Sequence, residues 1–150
     1  MGLSTQQYAK GYVGAQSLGS LSVVYVWPVD IERLPSPLDH TPLIISNQAH
    51  TCTVLDLDNP RDLTRAGQVR WDGAVWSGAK HTVIIQTADC MPLVIIEARQ
   101  RRMGVVHLSW RNLREGMLTV FLKAFLSKVG ASQGNFFVGI GPRLCGQHLW

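Results

Sequence analysis

The sequence predicts an α+β domain built on a mixed β-sheet with flanking helices, and three observations carry that prediction. Residues 71–76, 81–86, 93–97 and 103–108 are strand-like runs in quick succession, and three of them hold consecutive apolar residues, as in a sheet covered on both faces. The period then changes: over residues 112–129, Leu113, Met117, Val120, Phe121, Ala124 and Phe125 fall on one helical face, opposite Asn112, Glu115, Thr119, Lys123 and Ser127. Residues 136–140 return as a strand, so strands, one long helix and a closing strand make a layered domain.

Taken in order, residues 1–20 are rich in Gly, Ser and Gln with weak periodicity and predict a loosely ordered arm or short helix. Residues 21–27 (Leu-Ser-Val-Val-Tyr-Val-Trp) are β-branched and aromatic, a strand closed by Pro28. Pro35, Pro37 and Pro42 mark a loop, residues 43–45 a short strand, and residues 51–57 a second extended run after Asn47-Gln48-Ala49-His50. Asn59-Pro60 and residues 61–67 read as a polar connection. The long helix ends at Gly130, a suitable C-cap.

A chain of 150 residues fits a single domain, 1–150, able to bury a core without staples. Its 46% hydrophobic and 16% charged residues exclude an intrinsically disordered chain. No run approaches the roughly 18 apolar residues of a membrane helix. The first residues, Met1-Gly2-Leu3-Ser4-Thr5, lack the basic and apolar regions of a secretory signal, so a cytoplasmic setting is expected. Cys52, Cys90 and Cys145 are odd in number and scattered, which speaks against a disulfide framework. The net charge of +4 is mild, and the cluster Arg99, Arg101 and Arg102 sits between two apolar runs, where a solvated hairpin turn is expected and no nucleic-acid partner.

The chemistry concentrates between Thr87 and Trp110. Cys90 follows the apolar run at 83–85, and Pro92 keeps a helix from forming across it, which puts the thiol on a bend at a strand end. His107 closes the next apolar run, and His50 lies between two extended runs. Two imidazoles and a thiolate suit zinc or copper, and three protein ligands leave an open position for water or substrate. The same atoms also allow a metal-free reading, in which Cys90 is a nucleophile with His107 as base and Asp89 or His50 orienting the ring. Arg111, beside Trp110 at a helix start, suits a phosphate or carboxylate. His40, His81 and the C-terminal pair Cys145 and His148 read as structural or surface residues.

Gln48-Ala49-His50, Trp71-Asp72-Gly73-Ala74, Thr87-Ala88-Asp89-Cys90-Met91-Pro92, His107-Leu108-Ser109-Trp110-Arg111 and Gly141-Pro142-Arg143-Leu144 occur in one order. Together they resemble the successive motifs of the bacterial laccase-domain (polyphenol oxidase) family, also described as purine nucleoside phosphorylases with adenosine deaminase activity. The resemblance covers about residues 43–144. It implies a sandwich-like α/β fold and zinc or copper on His50, Cys90 and His107. Catalysis would involve Cys90, His107 and Asp89, with Arg111, Gln48 and Asp72 around the substrate. The implied substrates are a purine nucleoside and phosphate, with displacement of the base from ribose and, for adenosine, replacement of the 6-amino group by water. The family's members are longer, so the chain reads as a shortened member lacking the C-terminal part of the domain. It also departs from the family pattern at Leu108-Ser109 and at Asn112, where the pattern has Ala-Gly and Gly, and an altered backbone turn is expected there.

Two other readings stand beside this one. One is a Cys–His amide hydrolase; the other is a truncated, non-catalytic binding subunit. The five histidines of the chain are too few for a trinuclear copper cluster, which argues against a conventional laccase mechanism.

Overall fold

The computed structural model describes residues 4–8, 11–18, 21–27, 43–129 and 135–143. The chain divides into two compact units, Met1–Pro42 and Leu43–Trp150. In the first, β1 (Ser4–Tyr8), β2 (Gly11–Leu18) and β3 (Leu21–Trp27) form an antiparallel meander, with Tyr8 opposite Gly11 and Leu18 opposite Leu21. The third strand has its predicted bounds, whereas the arm or short helix expected over residues 1–20 is two strands. Ser4-Thr5-Gln6-Gln7 carries no apolar alternation, so periodicity is silent there; pairing in a hairpin is a property of two strands together. The proline loop with His40, the Gly130 cap, and Leu144, Cys145 and His148 lie outside the described residues.

The second unit holds β4 (Leu43–Ile45), β5 (Val54–Asp56), α1 (Pro60–Arg65), β6 (Gly73–Ser77), β7 (Thr82–Ile84), β8 (Met91–Glu97), β9 (Arg102–Leu108), α2 (Trp110–Arg114), α3 (Met117–Leu126) and β10 (Phe136–Ile140). A five-stranded sheet runs in the order β10-β8-β9-β6-β5, antiparallel throughout except for the parallel pair of β5 with β6; β4 and β7 form a separate parallel pair. Helices and mixed sheets confirm the α+β class. β9 is buried along its whole length and β8 at all but its first residue, as their unbroken apolar runs predict.

The core lies between this sheet and α3. Met117, Phe121 and Phe125 face Val75, Leu93, Ile95, Val106 and Leu108, and full burial of each large apolar side chain stabilises by about 1.5–3 kcal/mol. The helix comes this close because Gly104 and Gly73 lack side chains. A Cβ at Gly104 would meet ring atoms of Phe121 and Phe125 at 2.9 Å, and one at Gly73 would meet Met117 Cε at 2.9 Å.

Three expectations are corrected. The single helix over 112–129 is two, α2 and α3, separated by Gly116 with φ 89°, a left-handed conformation that ends one helix and redirects the next. In consequence Leu113 and Val120 are 39% and 40% exposed, although both sit on the apolar face of a continuous helix. The polar connection after Asn59 contains α1, whose start is set by Asn59 accepting from the Arg61 N–H and by Pro60 in the first turn. Finally, Arg102 is not solvated. It opens β9 at 1% exposure and pairs through Nη1 with Asp58 at 2.6 Å, while Arg99 and Arg101 remain exposed on the hairpin.

Candidate metal centre

Three segments converge at one end of the sheet. His107 is the penultimate residue of β9, buried at 3% exposure. Cys90 lies on the bend just before β8, half-buried, and Pro92 of β8 stands opposite His107 in the strand register. His50 lies on the loop between β4 and β5 with φ 59°, a left-handed backbone that few side-chain-bearing residues adopt. The ligand atoms of His50, Cys90 and His107 all fall within 4.8 Å of one another, and the two imidazole centroids are 5.2 Å apart. The structure thus brings together the three side chains singled out in the sequence.

Asp72 organises this convergence. It lies just before β6, is fully buried, and its Oδ1 meets His107 Nδ1 at 2.8 Å while the His107 N–H donates to the Asp72 carbonyl at 2.7 Å. The same carboxylate accepts from the backbone N–H groups of Ala49, His50 and Thr51 and from the Thr51 hydroxyl, at 3.3, 3.1, 2.7 and 2.8 Å. Burial by itself would raise the Asp72 carboxyl; hydrogen bonds from His107, Thr51 and Ala49 outweigh it and hold the group below the ordinary carboxylate range. With Nδ1 facing a carboxylate, the His107 ring presents Nε2 to the site, the arrangement in which an outer carboxylate fixes the tautomer of a metal-ligating histidine.

The loops are tied in a second way. Gln48 donates through Nε2 to the Gln86 carbonyl at 2.6 Å and accepts through Oε1 from the Gln86 N–H at 2.8 Å. It thereby extends the β4·β7 pairing by one side-chain step and joins the segment before His50 to the segment before Cys90. Gln48 and Asp72, both expected around the substrate, have their polar atoms committed to these loops. Asp89 and Arg111 are exposed beside the trio's segments, and the Arg111 guanidinium lies 5.4 Å from the centroid of the Trp110 ring, over its face. Burial, followed by the charges of Asp89 and Asp72, pushes the Cys90 thiol above its ordinary value.

Two residues at the site escaped sequence reasoning. Thr51 gives Asp72 two hydrogen bonds and carries no recognisable signal. Asn112 is fully buried at the start of α2, where it forms a capping box with Ser109. Ser109-Trp110-Arg111-Asn112 has the spacing of that motif, so the signal was present. At position 112 the backbone is helical and has no positive φ.

A family model described as multi-copper polyphenol oxidoreductase laccase matches residues 2–149. A purine nucleoside phosphorylase of Xylella fastidiosa (strain Temecula1) is 38% identical over 97 residues, 64% of this chain and 37% of that protein. The adenosine deaminase RL5 of an unknown prokaryotic organism is 24% identical over 116 residues, 72% of this chain and 43% of its own length. Among solved structures, the Neisseria meningitidis protein NMB0706 superposes with a TM-score of 0.54 at 23% identity, covering 69% of this chain and 39% of that one. The chain spans about four-tenths of the length of these relatives.

Proposed function

The chain belongs to the multi-copper polyphenol oxidoreductase laccase family, and from that premise we propose that it is a metal-dependent purine nucleoside enzyme. The observation that carries the proposal is the His50–Cys90–His107 group, with ligand atoms within 4.8 Å of one another and one imidazole already oriented by a buried carboxylate. The donor set fits zinc or copper. One such group is assembled among the described residues, which suits one ion rather than several. When bound, the ion supplies Lewis acidity at an open coordination position.

The chain's own residues do the rest. His50, Cys90 and His107 hold the ion, and Asp72 keeps the His107 Nδ1 proton so that Nε2 stays free to ligate. Gln48 and Asp72 serve as supports of the ligand loops. Arg111, exposed at the first turn of α2, attracts the phosphate co-substrate, and the exposed Asp89, next to Cys90 in the chain, is the carboxylate assigned to exchange a proton with the departing group. The reaction proposed is phosphorolysis of adenosine, inosine or methylthioadenosine, with deamination of adenosine as a second activity. This reading is supported by the names of the relatives, a purine nucleoside phosphorylase and an adenosine deaminase. A Cys90–His107 dyad acting on an amide bond uses the same atoms, but a thiol pushed upward by burial and two carboxylates is a weak nucleophile without a cation beside it.

The test is elemental analysis of the purified protein together with a product assay on adenosine in phosphate buffer. The expected result is about one zinc or copper per chain, release of adenine or inosine, and loss of metal in His50→Ala, Cys90→Ser and His107→Ala. A metal-free protein that leaves adenosine intact would sink the proposal, and loss of activity to iodoacetamide with the metal retained would favour the amide hydrolase.

A further inference from the structure

We propose that Asn112 is a positioning residue of the metal site, whose buried carboxamide clamps the strand carrying His107 to the loop carrying His50. The inference rests on the reading that the His–Cys–His group holds a metal. Asn112 Nδ2 donates to the His107 carbonyl at 3.0 Å and to the Thr51 carbonyl at 3.3 Å. Its Oδ1 accepts from the Ser109 N–H at 2.9 Å, and its own N–H donates to Ser109 Oγ at 3.3 Å. Both hydrogens of the carboxamide and its oxygen are therefore used, at a residue with no exposed surface. Reversing the amide would set an NH₂ against an N–H and an oxygen against two carbonyls, so the network itself determines the orientation.

A helix cap requires none of the Nδ2 contacts. The capping box uses Ser109 Oγ and Asn112 Oδ1, yet the NH₂ group leaves the helix and grips the carbonyls of Thr51 and His107. Thr51 follows His50, whose backbone has φ 59° and needs restraint to stay there. Asp72 restrains that loop through the N–H groups of residues 49–51, and Asn112 restrains it through the Thr51 carbonyl. The loop is thus gripped by its donors on one side and by an acceptor on the other. Position 112 thereby couples the spacing of two ligands that are 57 residues apart in sequence (107 − 50).

The experiment compares Asn112→Leu, which keeps bulk and removes the clamp together with the Oδ1 half of the capping box, with Ser109→Ala, which removes the Oγ half of the box and leaves the clamp. If Asn112→Leu loses the native circular dichroism, Asn112→Gly carries the same readouts. In metal-free protein, amide hydrogen exchange at His50 and Thr51 is expected to quicken about tenfold or more in the Asn112 variants and to stay at the wild-type rate in Ser109→Ala. Zinc affinity by chelator competition is expected to fall about 10- to 100-fold, with a changed cobalt(II) absorption spectrum, again without effect in Ser109→Ala. Equal exchange rates and equal zinc affinity in the two kinds of variant would reduce Asn112 to a helix cap and overturn the proposal. Accelerated exchange in a protein whose wild type takes up no zinc would support the clamp and remove the metal reading instead.

Discussion

Asp72 receives five hydrogen bonds while having no exposed surface, and it illustrates how much of a site can hang on one side chain. Three of these bonds reach Oδ2 and two reach Oδ1, so an amide at this position turns an NH₂ group toward at least two donors whichever way it lies. Each buried donor left without an acceptor costs about 1–3 kcal/mol. Asp72→Asn is therefore expected to lower the melting temperature and to weaken metal binding about 10- to 100-fold, measured by thermal unfolding and chelator competition. A variant with unchanged metal affinity would show that the carboxylate supports the fold alone. Its role was hidden in the sequence because an aspartate before a strand has no periodicity. Its partners, residues 49–51 and His107, meet it only when three segments converge.

At the scale of elements, the contact of α3 with the sheet depends on what the sheet omits. Gly104→Ala would place a methyl group 2.9 Å from Phe121 and Phe125 rings, and overpacking of a filled core costs about 1–3 kcal/mol. The expected result in denaturant unfolding is a lower midpoint with an unchanged slope. Gly67→Ala is the control: nothing lies within 4 Å of the added methyl, so the midpoint is expected to hold. β8 and β9 were legible because their burial is continuous and needs no register to be recognised. The helix was legible in its inner face, Met117, Phe121 and Phe125, but not in its break. Gly116 within an amphipathic run reads as a tolerated residue until the chain is seen to turn there.

At the scale of the whole second unit, the end of the sheet away from the His50–Cys90–His107 group is closed by charge. Asp58 accepts from the Ser77 N–H and hydroxyl at 3.1 and 2.8 Å and from the buried Arg102 at 2.6 Å, linking the segment after β5 to β6 and β9. Burial alone would raise the Asp58 carboxyl, but the Ser77 hydrogen bonds, then Arg102 and Lys128, bring it below its ordinary value. Since the folded-state value is depressed, the stabilisation is complete above the unfolded value, near pH 4, and is lost as the pH falls through the folded value. Thermal unfolding between pH 7 and pH 2 is expected to show the advantage of wild type over Asp58→Asn shrinking below about pH 4. An advantage that persists unchanged into that acid range would mean that the carboxylate's charge does not act there.

The sequence by itself determined the α+β class, most strand positions in the second unit, and the identity of His50, Cys90 and His107 as ligand-type residues. Each rests on local information: apolar runs, a helical period, or a side chain whose chemistry is unusual wherever it lies. Tertiary structure alone decided that the three ligand atoms meet, that Asp72 and Asn112 hold their loops, and that Arg102 is buried between acidic partners instead of solvated. The physical reason is that hydrogen bonds between distant segments and the burial of a charge are properties of assembled surfaces. Residue type and spacing specify what a side chain can bond to, and only the packed fold supplies the partner.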